Sequence, residues 1–165
     1  MRQRDERLPM RPPHPSRSDL LSLTPCSVSL SISAMAVIVA LTAVFNQYCA
    51  IRCVQARKAH NCPYPNLYLP ADAPGAAAYN CVQRAHANFL EALPIAALLI
   101  GTTYTAAPRL AVGMAALWLA GRVAYQHGYT TGGPSGRMAG AAVGSLTLLV
   151  AMGTALIYGV KTLMG

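Results

Sequence analysis

From Ser29 to Ile51 the chain runs without one charged side chain, and its first cation after that is Arg52. A hydrocarbon core about 30 Å thick is crossed by roughly 20 helical residues. A stretch of this length and composition therefore predicts a spanning helix. Three further segments behave alike, over about Ala78–Thr105, Pro108–Tyr129 and Arg137–Leu163. Between the first two lies "ARKAHNCPYPNLYLPADAPG", basic and then punctuated by prolines, which reads as a loop. "TTGGPSG" separates the last two. Four spans joined by short connections predict an all-α membrane protein, a four-helix transmembrane bundle over residues 34–165.

Residues 1–33 differ from this domain. "MRQRDERLPMRPPHPSRSD" mixes arginines, acids and prolines with no apolar period. It is expected to be a disordered extension, or one that lies upstream of a functional start at Met35. In the whole chain 54% of residues are hydrophobic and 11% charged, against about a quarter charged in soluble domains. The net charge of +8 is scattered between apolar segments. It forms no stripe of the kind nucleic acid requires, so no nucleic-acid partner is expected. Five cysteines without a C-x-x-C read as reduced thiols rather than a disulfide framework. Cys49 and Cys53 share a helical face, but no third and fourth ligands stand nearby, so no metal is expected.

Cations gather at one end. Arg52, Arg57 and Lys58 precede the first loop, Arg84 follows it, and Arg137 closes the other connection on that side. By the positive-inside tendency, both connections face the cytoplasm. Tyr64 and Tyr68 of the first loop suit an interfacial aromatic belt.

Within the spans, Arg84, Asn88 and Glu91 stand at i, i+4 and i+7 on one face of the second helix. Arg122, Tyr125 and Tyr129 do so at i, i+3 and i+7 on the third. A charge at mid-bilayer is unfavourable by about 2.5–3.5 kcal/mol on insertion scales. Such groups must face one another, a neighbouring subunit or a wet cavity. Pairing of Arg84 or Arg122 with Glu91 would serve only helix register. Yet Arg57, Arg84, Arg122 and Arg137 share that one membrane carboxylate, and a cationic surplus calls for an anionic ligand. Arginine forks suit carboxylates, and Glu91 suits an ammonium. Gly136, Gly140 and Gly144 form a ridge of small residues for close helix approach.

"YNCVQRAHANFLEALP" and "GRVAYQHGYTTGGPSGR" resemble the two signature stretches of the MAPEG superfamily, membrane proteins of eicosanoid and glutathione metabolism. "VQARKAHNCPYPNLY" is similar to the first-loop segment of its type-three microsomal glutathione transferases. The resemblance covers about residues 35–163 and implies a homotrimer binding glutathione between subunits near the cytoplasmic face. By position it implies glutathione contacts at Arg57, Arg84, Asn88, Glu91, Tyr125 and Tyr129, to which the stripe adds Arg122. His86 is within reach of the same ligand or is a hydrogen-bonded structural histidine. Arg137 matches the arginine that stabilises the glutathione thiolate, with Tyr125 as the alternative donor. The leukotriene-forming synthase has glutamine at the place of His86 and tyrosine at that of Ala92. The type-three proteins carry lysine where this chain has Gly136.

The expected activity is a membrane-bound glutathione transferase with possible peroxidase action. Glutathione is then a co-substrate, and a lipophilic electrophile or lipid hydroperoxide arrives from the membrane lipid. The host membrane is an endoplasmic reticulum or a bacterial inner membrane. The alternative is a non-catalytic lipid-binding scaffold of the lipoxygenase-activating type. A small multidrug transporter would want a carboxylate in the first helix, which offers Asn46 instead.

Overall fold

The computed structural model describes residues 24–165, with side chains from Ser29 onward. Four helices follow in order: α1 (Thr24–Ala59), α2 (Ala76–Ala106), α3 (Pro108–Gly136) and α4 (Met138–Leu163). No strand occurs among the described residues. The all-α expectation holds, and the bounds of α2 and α4 fall within two residues of those read from the sequence. One boundary moves. Helix α1 begins at Thr24, so residues 24–33, expected outside the domain, are helical. The rest of that expected extension lies outside the described residues. At 36 residues α1 is about 54 Å long, more than a bilayer core needs.

Helices α1, α2 and α4 are long and apolar enough to cross a membrane, and α3 is not by composition alone. The packing explains the difference. Helix α3 touches all three other helices, and its buried face carries Arg122, Tyr125, Gln126 and Tyr129. Those polar groups face protein rather than lipid, so α3 need not be apolar all round. Below them Phe89, Ala96, Ile100, Met114 and Trp118 form the main core cluster.

The glycine ridge of α4 packs against α3. A Cβ on Gly140 would overlap the backbone nitrogen of Tyr125, and at the turn into α4 one on Gly136, the last residue of α3, would overlap the carbonyl of Gly128. From the other side, a Cβ on Gly121 would lie 2.9 Å from the backbone nitrogen of Gly144. The two backbones are therefore in direct contact, as the four-residue spacing predicts. At the turn, Gly133 takes φ 65° and ψ −158° just before Pro134. The left-handed φ is open to glycine at no steric penalty, and it breaks the helical course within "TTGGPSG".

The α1–α2 loop is tied down by side chains at both edges. Asn80 accepts from the Leu69 N–H and donates to the Leu69 carbonyl, both at 2.9 Å. The Tyr79 hydroxyl donates to the Leu67 carbonyl at 3.0 Å. From α1, Arg57 donates to the carbonyls of Asn66 at 2.8 Å and Cys62 at 3.2 Å. Cys49, Cys53, Cys62 and Cys81 are free thiols, the first three buried. Cys26 lies outside the described side chains.

Candidate active site

Close packing of α3 on α4 sets the first part of the site. Because Gly140 lets the α4 backbone rest against Tyr125, Arg137 at the head of α4 reaches back over α3. Its Nη1 donates to the Tyr125 hydroxyl at 3.3 Å, and its guanidinium carbon stands 5.0 Å from the Tyr129 ring centre. The two tyrosine rings meet edge to face at 5.6 Å. Tyr125 and Tyr129 are buried, whereas Arg137 is half-buried at the helix junction. The hydrogen bond with Tyr125 is the main influence raising the Arg137 pKa, so the guanidinium stays charged at any relevant pH. Since Arg137 donates to the phenol oxygen, the phenol proton is left free for another acceptor.

One turn deeper, Arg122 is 7% exposed. Its Nη2 donates to Asn88 Oδ1 at 2.8 Å, which joins α3 to α2. The guanidinium carbon lies 4.7 Å from the Tyr125 ring centre and 5.8 Å from that of Trp118. Those faces are attractive to a cation. No carboxylate pairs with Arg122 among the described residues, and its Nε–H is buried without a partner. The expected alternative of an Arg122–Glu91 pair is therefore not formed.

Glu91 instead pairs with Arg84 at 3.0 Å. Both side chains are about half exposed, 46% and 55%, on the outer face of α2. Arg84 also lies beside the Tyr68 hydroxyl of the loop. It is near enough to Arg137 for the two charges to oppose each other. This places Arg84, Tyr125, Tyr129 and Arg137 at one end of the bundle.

Two expected site residues stand elsewhere in the protomer. Arg57 is engaged with the loop carbonyls and with the Tyr64 ring, 4.4 Å from its guanidinium carbon. His86 points toward α1, where Nε2 meets Asn46 Oδ1 at 3.1 Å and Nδ1 meets Cys53 Sγ at 3.7 Å. Of the readings weighed for His86, this geometry is that of the hydrogen-bonded histidine. His127 is exposed, off the stripe, and Trp118 is a core residue.

Sequence reasoning missed three participants. Gln126 is buried beside Arg122 on α3 with Oε1 unpartnered, and its i+4 spacing from Arg122 was the available signal. Tyr68 was read only as an interfacial residue. Asn46 was noted as polar but not linked to His86, because no spacing rule connects two different helices. Around Cys49 and Cys53, no group of three or more potential metal ligands gathers among the described residues.

A family model described as the MAPEG family matches residues 35–157. The chain belongs to the MAPEG family. The match covers α2 and α3 entirely and most of α1 and α4, including both arginine-bearing stretches of the site, and establishes an integral membrane protein. Proteins of this family generally bind glutathione and form trimers. They include glutathione transferases and related synthases, and also members without catalytic activity. In this MAPEG protein, of the guanidinium groups of Arg84, Arg122 and Arg137, that of Arg84 alone pairs with a carboxylate, Glu91, among the described residues.

Removing Asn88 tests how the buried charge is held. Asn88→Leu takes away the one polar side chain bonded to Arg122 among the described residues, and is expected to lower stability by about 1.5–3 kcal/mol, the range for hydrogen bonds to charged groups. Thermal unfolding in detergent measures it. A melting temperature equal to wild type would mean that Arg122 is satisfied in some other way.

Proposed function

We propose that this protein is a membrane-bound glutathione transferase, with glutathione peroxidase activity toward lipid hydroperoxides at the same site. The observation that carries the reading is Arg122, a buried cation with an unpartnered Nε–H and no carboxylate of its own. A buried charge without a counter-charge is costly, and a ligand carboxylate would supply one. Glutathione fits the rest of the site, its carboxylates meeting Arg84 and Arg122 and its ammonium meeting Glu91. Asn88, Gln126 and Tyr129, beside Arg122 and Arg137, would take its amides. Arg57 joins this set if a neighbouring subunit brings the ligand to the loop, and His86 is left out because its ring is held against α1.

The thiolate would lie against Arg137 and Tyr125. Free thiol with a pKa near 8.5 is only a few per cent ionised at pH 7. A guanidinium beside the sulfur favours the thiolate, and the effect grows where water is scarce. Tyr125, its oxygen already accepting from Arg137, donates its own proton to the sulfur. The thiolate then attacks a lipophilic electrophile that has arrived from the lipid, or the outer oxygen of a hydroperoxide. In the latter case S–O forms as O–O breaks, the alkoxide leaves as the protonated alcohol, and a second glutathione thiol takes the sulfenic acid to disulfide and water.

A homotrimer accords with the same face. Arg84 and Glu91 are half exposed on a spanning helix, and a second copy covering them would keep the pair out of hydrocarbon. The basic end faces the cytoplasm in this reading.

A thiolate-absorbance titration of glutathione with detergent-purified protein tests the reading. Thiolate absorbance at neutral pH is expected on binding. Glutathione bound without thiolate would favour the lipid-binding scaffold instead, and no binding at all would remove the ligand assignment. Arg84→Ala is expected to weaken glutathione binding by about 10-fold, in line with one charged hydrogen bond. Isothermal calorimetry reads it directly.

A further inference from the structure

On the side of α2 away from Arg84, three side chains from two helices form a relay. Cys53 Sγ lies 3.7 Å from His86 Nδ1, and His86 Nε2 lies 3.1 Å from Asn46 Oδ1. Since a carboxamide oxygen only accepts, Nε2 carries the imidazole proton and Nδ1 presents its lone pair to the thiol. The sulfur also lies 3.7 Å from the Val82 carbonyl, which accepts the S–H in the alternative rotamer. A thiol, an imidazole base and a carboxamide that orients the base make up the nucleophile arrangement of cysteine hydrolases. Cys53 is 8% exposed, and nothing in the glutathione reaction uses it.

Below this relay an apolar groove of about 620 Å³ runs between α1, α2 and α3. Its α1 wall is Val39, Thr42 and Asn46, so Asn46 belongs to both groove and relay. Continued at the same spacing, that wall leads to Cys49 and Cys53, the latter seven residues beyond Asn46 and about 10.5 Å higher along the helix. The opposite wall is not plain hydrocarbon. Trp118, 3% exposed, and Tyr104 both line it, and the Trp118 Nε1–H and the Tyr104 hydroxyl are buried without partners. Unpartnered buried donors are unfavourable, so this wall admits an oxygen-bearing lipid as well as plain hydrocarbon.

We infer that Cys53 is a second nucleophile of this protein, adding covalently to long-chain α,β-unsaturated carbonyl lipids seated in the groove. In the step, the Cys53 S–H proton passes to His86 Nδ1 as sulfur bonds to the β-carbon of the alkene. The alkene electron pair moves to the carbonyl oxygen as an enolate. The imidazolium then returns the proton to the α-carbon, leaving a saturated thioether adduct with no oxidant consumed. Asn46 is a positioning residue that holds the base in the correct tautomer. The reaction needs no glutathione and so stands apart from the function proposed above.

The test uses the full chain in detergent, without glutathione, treated with trans-2-hexadecenal and followed by peptide-resolved mass spectrometry. Cys53 is expected to be modified about 10-fold or more faster than Cys81, and His86→Gln is expected to slow it by about 100-fold, the lower range for a general base. Asn46→Asp should keep the rate and Asn46→Ala should lose part of it, with melting temperatures checking that each variant is folded. Unreactive hexadecanol should compete. Modification of Cys53 at the Cys81 rate, or a rate unchanged in folded His86→Gln, overturns the relay. A rate indifferent to hexadecanol overturns the groove as the binding site.

Discussion

Arg137→Ala is expected to leave glutathione bound while lowering turnover at pH 7 by about 20-fold or more. The figure follows from the thiol's ionisation. Lowering its pKa by about two units from 8.5 turns a few per cent of thiolate at neutral pH into a majority, for about 2.7 kcal/mol of differential stabilisation. Alanine removes that stabilisation from the charged form alone, so the loss falls chiefly on the chemical step, with affinity at pH 7 weakened only about 4-fold by the lost ionisation. The sign with pH is also set. Wild type gains little above neutrality because its thiol is already ionised, whereas the variant climbs as pH rises through 8.5, and the two converge. Glutathione affinity, thiolate absorbance and kcat measured from pH 6 to 9 check all three statements. Equal kcat at pH 7 would move the assignment to Tyr125, whose hydroxyl lies 3.3 Å from the same guanidinium.

Gly140→Ala is expected to be the most damaging single methyl in the bundle. The added Cβ would collide with the backbone nitrogen of Tyr125, which cannot swing aside as a side-chain tip can. Overpacking typically costs about 1–3 kcal/mol, and a backbone obstacle places this site at about 3 kcal/mol. Separation of α3 from α4 would also draw Arg137 off Tyr125, so turnover should fall beyond what unfolding explains. Gly153→Ala provides the contrast, because nothing lies within 4 Å of a Cβ there. Its greater helix propensity should leave it equal to or up to about 1 kcal/mol more stable than wild type. Detergent melting curves of the two variants decide the matter. Similar curves would mean that the glycine ridge is not the contact that holds α3 and α4 together.

Much of this architecture was legible because membrane spans announce themselves through length and apolarity. The glycine ridge was legible because its period is local to one helix. Within a helix, the i, i+3, i+4 and i+7 offsets also foretold which polar groups share a face. They could not foretell partners across helices. Spacing alone left Glu91 open to Arg84 or Arg122, and the fold gives it to Arg84 while Asn88 takes Arg122. His86 shows the same limit, since its partners come from α1, some forty positions earlier in the chain. The start of α1 was misplaced for a different reason. The apolar run that predicts the span begins only at Ser29, and a helix that extends beyond the apolar core leaves no such signal in composition.

The sheltered position of α3 has a consequence for how the chain is made. A helix whose polar face needs α2 and α4 is a poor candidate for insertion into lipid by itself. Synthesis delivers α1 and α2 first, so during translation Arg122 can meet Asn88 before α4 has emerged. Insertion of α3 then depends on docking against helices already in the bilayer, and α4, with its glycine ridge, closes over it last. A ribosome-bound chain halted after Gly136 should therefore hold α3 less firmly in the membrane than one that has completed α4.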